Sequence, residues 1–330
     1  MMKHPTVLDV ARIAHVGAST VSRFLRGVQV RPEAAKRIAQ AVKELGYTPD
    51  QTARALRAGR SRTIGILLPK VSNVLFSEAT QLMEEEARKQ GCSVILLTHQ
   101  DRMAQQQEHL LTLRRYRADG VILVATPGTK LEEVRSVLPN VPLVALDSYL
   151  SPEVDSVVLR NREAARMATE HLLAHGYRSI YCVGAKPRVY SIHERIAGYS
   201  DALEAVNLAP RLIVPDDYEH LRFQLGASLR GKDAPDAILS LSDFATLHSL
   251  TTFNEMGFSA SQRLPLIGFD DFGYAPLMDP PLTVIRQPIE KMVRYALSAL
   301  FRRIEQDGEG EVQEISLPGE LIRRRSCGCI

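Results

Sequence analysis

Cysteine is scarce in this chain, with four residues among 330: Cys92, Cys182, Cys327 and Cys329. They make no Cys-x-x-Cys pair and no Cys/His cluster with zinc-module spacing, which fits a protein kept in the cytosol. Cys327-Gly-Cys329 admits a bound metal or a redox pair. Two incidental thiols are the simpler expectation, so no metal and no cofactor are expected. Long apolar runs are missing as well. The first ten residues contain none, and the longest, such as 120–125, are far too short to span a bilayer. Neither a signal peptide nor a membrane anchor is expected, and the expected location is cytoplasmic. Enzyme signatures are equally absent: no glycine-rich phosphate loop, no Gly-x-Ser-x-Gly and no His-Glu-x-x-His. Ser191, His193 and Glu194 lie close in sequence, but proximity along the chain does not make a triad. The chain is not expected to be an enzyme.

What is there is an ordinary globular composition, 45% hydrophobic and 24% charged, on a chain long enough for two or three folding units. The net charge of +3 is unevenly spread. Residues 1–62 carry 12 Lys and Arg against 4 Asp and Glu, giving +8; residues 63–330 carry 29 against 34, giving −5. A basic end on a mildly acidic body points to a polyanion held at one end, although a charged segment is often only a solvated surface.

The basic end reads as three short helices. Thr6-Val-Leu-Asp9 has capping-box form ahead of Val10, Ala11, Ile13 and Ala14, so a helix starts near Thr6. After His15-Val-Gly17, with Gly17 as N-cap, a second helix runs over 18–26. Val21 and Leu25 face inward on it, and Ser19, Thr20, Ser22, Arg23 and Arg26 stay outside. A third starts at Arg31-Pro32, shows Ala35, Ile38, Ala39, Val42 and Leu45 at helical spacing, and stops at Gly46. Short hydroxyls suit phosphates and arginines can fork onto guanine, so the second helix is the candidate reader of a DNA groove.

The run Asp9-Val-Ala-Arg-Ile-Ala-His-Val-Gly-Ala-Ser-Thr-Val-Ser-Arg23-Phe-Leu resembles the signature of the lactose-repressor (LacI/GalR) family. Leu45-Gly-Tyr-Thr-Pro49, Ala53-Arg-Ala-Leu56 and Ser61-Arg-Thr-Ile-Gly65 continue the resemblance, which runs through nearly the whole chain. It implies that Ala18, Ser19 and Arg23 read bases while Thr6, Thr20, Ser22 and Arg26 hold the DNA backbone. It also implies a hinge over 49–61 that becomes helical when two subunits pair on DNA, with Ala53, Arg54 and Leu56 at the minor groove and Leu56 wedged between base steps. Three departures from the family pattern read as tuning: His15 in the inter-helix turn, Gly17 at the start of the recognition helix, and Asp50 after Pro49.

From Thr63 onward, apolar runs at 64–68, 93–97, 120–124, 143–146, 180–183, 237–241 and 266–269 alternate with amphipathic helices. That alternation calls for parallel, doubly wound sheets. The expected fold is an N-terminal all-α helix-turn-helix headpiece followed by two α/β lobes of seven or eight strands, resembling periplasmic sugar-binding proteins. The expected domains are 1–48, a hinge at 49–61 and an effector-binding and dimerisation domain at 62–330. Within the last, lobe one is 62–160 with 287–315, and lobe two is 161–286 with 316–330.

Ligand groups in such lobes collect at the carboxyl ends of strands. The candidates are Ser72, Asn73 and Phe76 after the first strand, Asp147 after Val144-Ala-Leu, Asp243 and Asp270. The resemblance adds Arg195, in Arg195-Ile-Ala-Gly-Tyr199, as the main effector-binding arginine. Asp243 serves equally well as a helix cap and Phe76 as core, whereas for Asp270 the resemblance favours the ligand role over a cap. Carboxylates and an arginine about a ring stack suit a polyhydroxyl ligand. Lys186, Arg188, Arg195 and Arg160 add positive charge on one side of the cleft, which favours a sugar acid or sugar phosphate over a neutral sugar. Gly184-Ala-Lys and Phe24-Leu-Arg26 also resemble the gluconate-repressor branch. Leu282-Thr-Val-Ile-Arg-Gln-Pro288 and the helix over 289–303 resemble the family's return to the first lobe and its dimer-forming helix. No heptad tail follows to make a tetramer. The sequence therefore predicts a homodimeric repressor of carbohydrate or sugar-acid genes, released from a palindromic operator by a small molecule. A corepressor-dependent regulator and a stand-alone binding protein are the alternatives.

Overall fold

The computed structural model describes residues 5–25, 27–47, 60–258, 264–306 and 308–329. The chain divides into two compact units, Met1–Ser61 and Arg62–Ile330. In the first, α1 (Val7–Ile13), α2 (Ala18–Leu25) and α3 (Pro32–Leu45) enclose a small core of Val10, Ala11, Ala14, Val21, Ile38, Ala41 and Tyr47. The capping box forms as read: the Thr6 hydroxyl oxygen accepts from the Asp9 N–H, and the Asp9 carboxylate accepts from the Thr6 N–H at 2.9 Å. His15 takes the left-handed conformation (φ 50°) that turns α1 into α2. Gly46, at φ 58°, ends α3.

The second unit is two six-stranded sheets. The first, β11-β5-β4-β3-β1-β2, is wholly parallel; the second is β12-β10-β9-β8-β6-β7, parallel except for β12 against β10. In chain order the strands are β1 (Thr63–Leu68), β2 (Ser93–Thr98), β3 (Gly120–Leu123), β4 (Leu143–Leu146), β5 (Asp155–Leu159) and β6 (Ile180–Val183). Then come β7 (Arg211–Ile213), β8 (Ala237–Ser240), β9 (Leu266–Phe269), β10 (Thr283–Arg286), β11 (Glu314–Leu317) and β12 (Glu320–Ile322). The helices are α4 (Val74–Lys89), α5 (Met103–Arg115), α6 (Leu131–Val137), α7 (Asn161–Ala174), α8 (Tyr190–Glu204), α9 (Tyr218–Leu229), α10 (Asp243–Glu255) and α11 (Ile289–Glu305).

Strand periodicity sorts the core. Ile64, Ile66 and Leu68 of β1 face one apolar layer, while Leu67 joins Val121 and Leu123 in the opposite one. In β6, Ile180 and Cys182 face one layer and Tyr181 and Val183 the other. Both faces of each sheet are therefore covered, as parallel sheets require. Helices α7 and α8 approach so closely at Gly198 that a Cβ there would lie 1.9 Å from the Arg162 carbonyl oxygen.

Twelve strands among the described residues exceed the seven or eight read from sequence. The additional ones are β5, whose apolar run is broken by Asp155 and Ser156, the three-residue β7 and β12, and the short segments β10 and β11 beside the crossovers. The chain crosses between lobes after β5, after β10 and after β11. The last crossing lies beyond Leu317, not before Ser316, because Ser316 and Leu317 still pair with Val158 and Leu159 of β5. Helix α11, the segment expected to form the dimer, packs one face on the first lobe. Met292, Val293, Ala296, Leu297 and Leu300 are buried in the first lobe's own core, leaving Glu290, Lys291, Arg294, Tyr295 and Ser298 outside. Its apolar face is spent within the lobe.

Candidate functional site

A cleft lies between the two sheets at the carboxyl ends of their strands, with a cavity volume of about 100 Å³. Asn73, Phe76, Asp147, Arg195 and Asp270 line it, four of them expected from the strand ends and Arg195 from the family resemblance. Ser72 is exposed and outside the lining. Asp243 lies at the edge, where it joins the lobes: Asn73 Nδ2 donates to Asp243 Oδ1 (2.7 Å), and the Val74 N–H donates to Oδ2 (3.3 Å). It is buried at the start of α10, while Ser242 caps that helix by accepting from the Ala245 N–H.

Four charged lining residues stand in left-handed backbone: Asp101 (φ 57°), Asp147 (φ 50°), Lys186 (φ 60°) and Asp270 (φ 72°). Such conformations cost energy outside glycine and collect where a side chain must be aimed. Arg195 reaches the cleft floor from α8. Its Nε donates to Asn161 Oδ1 (2.8 Å), its Nη1 donates to the Leu241 carbonyl (2.6 Å), and its guanidinium lies 4.0 Å from the centre of the Phe269 ring. Burial pushes the Asp147 carboxyl up to about 7, against the pull of Arg195 and with help from Asp270. Burial pushes Asp243 up to about 6, assisted by Asp270 and opposed by its hydrogen bonds.

The cations do not lie as the sequence suggested. Lys186 is ion-paired across the cleft with Asp101, whose loop is held by the buried His99: the Asp101 N–H donates to Nδ1 at 3.1 Å. Arg188 is exposed and outside the lining, and Arg160 faces Glu163 at 3.6 Å on the surface. The charged residues lining the cleft are Lys70, Lys186 and Arg195 against Asp101, Asp147 and Asp270. Three cations therefore meet three carboxylates, and the excess of positive charge disappears. Lys70 adds a second bridge, its Nζ 3.5 Å from the Phe244 ring centre.

Gln287 was missed. It follows β10 directly, so the strand-end rule used for the aspartates would have found it. Its Nε2 donates to Asp270 Oδ1 (2.6 Å), and its buried Oε1 meets no donor among the described residues. Asp147 Oδ1 is in the same condition. Two cleft-lining residues thus each hold a buried acceptor without a donor among the described residues. Asn161, which orients Arg195 from the start of α7, was missed as well.

In the first unit, Ser19 and Arg23 are exposed on α2, and Ala18, Thr20 and Ser22 are half-buried beside them. Thr6 gives its hydroxyl proton to Asp9 (2.7 Å) and its N–H to the same carboxylate, so both of its donors serve the cap. Arg26, Ala53, Arg54 and Leu56 lie outside the described residues, as does nearly all of the expected hinge.

A three-helix unit with a polar second helix, followed by two lobes closing on a cleft, defines a ligand-responsive DNA-binding protein. Residues 6–50 match the model for bacterial regulatory proteins of the lacI family, and 169–327 match that for a periplasmic binding protein-like domain. The ribose operon repressor of Halalkalibacterium halodurans is 31% identical over 326 residues, covering 97% of this chain and 96% of its own. Among solved structures, the lac repressor dimer bound to operator and the anti-inducer ONPF has a TM-score of 0.85 at 22% identity. It covers 98% of this chain and 99% of its own. The transcriptional regulator CelR in complex with cellobiose has a TM-score of 0.70 at 25% identity, covering 98% and 99%. The chain belongs to the lacI family and is a DNA-binding regulator of transcription. Among the described residues, no helix is long and apolar enough to cross a membrane.

Proposed function

We propose that the protein is a cytoplasmic, non-enzymatic homodimeric repressor that leaves a palindromic operator when a neutral, monosaccharide-sized polyol enters its cleft. The observation that carries the ligand class is the pair of buried acceptors, Asp147 Oδ1 and Gln287 Oε1, which call for a ligand rich in donors. The pairing of three cations with three carboxyl groups, one of them Asp147 pushed up to about 7, leaves little of the cationic excess that would favour a sugar acid or phosphate. Phe76 offers a flat apolar face for a ring, and Arg195 and Asp270 offer a donor and an acceptor for hydroxyls. The names of the ribose operon repressor and of the cellobiose complex agree with a carbohydrate ligand.

On the DNA side, Ala18, Ser19 and Arg23 contact bases and Thr20, Ser22 and Arg26 grip phosphates. Ala53, Arg54 and Leu56 of the hinge enter the minor groove. The domains run 1–48, 49–61 and 62–330. A two-fold operator requires two copies, the arrangement named for the lac repressor on its operator. Coupling follows from the bridges across the cleft, Asn73–Asp243, Lys70–Phe244 and Lys186–Asp101. A ligand that binds between the lobes favours the closed arrangement in proportion to its preference for it, and the dimer passes this on to DNA affinity. Thermal melting of the full chain against neutral monosaccharides, sugar acids, sugar phosphates and nucleobases tests the ligand class. A rise in melting temperature with neutral sugars alone is expected; a rise only with anionic sugars or nucleobases contradicts it.

A further inference from the structure

Far from the cleft, four side chains from distant parts of the sequence converge on one point. His171 lies near the end of α7 and His175 caps it, four residues on and therefore on the same face. The other two, Cys327 and Cys329, arrive with the last turn of the chain. Strand β12 pairs antiparallel with β10, and the turn after it is fastened to the second lobe through Ser326. The Ser326 hydroxyl donates to the Leu266 carbonyl (2.6 Å) and accepts from the Thr283 N–H (2.8 Å). Its own carbonyl accepts from the Leu266 N–H at 2.7 Å. Between the cysteines, Gly328 adopts φ 92°, and a Cβ there would meet the Tyr177 hydroxyl at 2.4 Å. Glycine alone lets the chain turn here so that both thiols face α7.

The ligand atoms of all four residues lie within 4.8 Å of one another. His171 Nε2 is 3.4 Å from Cys327 Sγ and 3.5 Å from Cys329 Sγ. His175 Nε2 is 3.3 Å from Cys329 Sγ, and the two sulfurs are 3.3 Å apart. Zinc bonds of about 2.3 Å to sulfur and 2.0–2.1 Å to nitrogen, set in a tetrahedron, put ligand atoms about 3.4–3.8 Å apart. Four of the six separations, at 3.3–3.5 Å, lie within about half an ångström of that polyhedron. The whole set spans no more than 4.8 Å, so a small side-chain adjustment closes it about an ion. Cys327 is fully buried, and the Thr283 hydroxyl donates to its sulfur at 3.1 Å, the outer support typical of a metal-bound thiolate.

We propose that His171, His175, Cys327 and Cys329 form a four-coordinate structural site for a zinc-type divalent ion that clips the C-terminal turn to α7. Two imidazoles and two thiolates select such an ion over calcium or magnesium, which take oxygen ligands. Four protein ligands fill the tetrahedron, so the site is structural and not catalytic. The expectation of two incidental thiols and no metal gives way here. His171 and Cys327 are 156 positions apart and meet only through the β10–β12 pairing, so spacing rules that look for a local module pass over them.

The test uses the reduced full chain, stripped with chelator and titrated with cobalt(II) alone. One equivalent should bind, with the visible bands of a tetrahedral centre and a thiolate charge-transfer band, and zinc(II) should displace it stoichiometrically. Zinc should also raise the melting temperature and protect two thiols from a thiol reagent. His175→Ala, at an exposed position, and Cys329→Ser, at a half-buried one, should each weaken zinc binding at least about tenfold, with circular dichroism unchanged. The proposal is overturned by a titration with no saturable binding, by a six-coordinate cobalt spectrum, or by variants that bind as the parent does.

Discussion

Replacing Asp147 with Asn should change how stability depends on pH, and the structure sets both sign and size. Burial pushes the folded-state carboxyl up to about 7 from an ordinary 3.8. Between those values the folded chain holds a proton that the unfolded chain has released, so stability falls as pH rises through the window and reaches its floor above about pH 7. The gap spans about three pH units, each worth about 1.36 kcal/mol, so the carboxyl costs up to roughly 4 kcal/mol at about pH 8 and almost nothing near pH 4. Asparagine carries no such proton equilibrium and tolerates the left-handed backbone at φ 50°. Asp243, pushed up to about 6, tilts stability in the same direction, but it is present in both proteins and drops out of the difference. Urea unfolding followed by circular dichroism from about pH 5 to 8 reads the effect. Asp147→Asn should gain progressively on the parent as pH rises, by roughly 2.5 kcal/mol between about pH 5 and 8, the remainder of the cost having set in below about pH 5. A difference that stays constant across that range would show that Asp147 titrates normally and that its burial has been misread.

The same carboxyl makes ligand binding a proton-linked event. A hydroxyl donated to Asp147 favours its ionised form, so binding near pH 6–7 should release up to about one proton, measured by calorimetry in buffers of different ionisation heat; equal heats in all buffers count against the contact. Gly198→Ala should destabilise the second lobe by more than about 4 kcal/mol, because its Cβ meets the Arg162 carbonyl at 1.9 Å and neither backbone can yield cheaply. A melting temperature within a few degrees of the parent would refute that packing. Arg23→Ala should lower affinity for operator by about 1–3 kcal/mol with a much smaller loss on random DNA; equal losses on both would assign Arg23 to phosphate.

Local chemistry was readable where partners sit close in sequence. The Thr6–Asp9 box, the left-handed turn at His15 and the stop at Gly46 all depend on residues within a few positions. The cleft was legible for a different reason: in a doubly wound sheet, strand ends converge whatever the residues, so Asn73, Phe76, Asp147 and Asp270 meet, and the family resemblance supplied Arg195 from α8. What failed was charge. Lys186 counts as a free cation until Asp101, 85 positions earlier, is seen to neutralise it across the cleft. Edge strands such as β7 and β12 have too few residues to show a period. The His171–Cys327 convergence depends on a pairing that no local pattern encodes.

The central claim is that one cleft controls DNA affinity. Its most direct test is operator binding by fluorescence anisotropy, on a palindrome selected from random DNA, with and without the neutral monosaccharide that raises the melting temperature. The account predicts at least tenfold weaker binding with the sugar for the parent chain, about 1.4 kcal/mol of coupling. It predicts no change for Arg195→Ala, whose operator affinity without sugar stays intact. A parent chain indifferent to the sugar, or an Arg195→Ala chain that responds as fully as the parent, would contradict it.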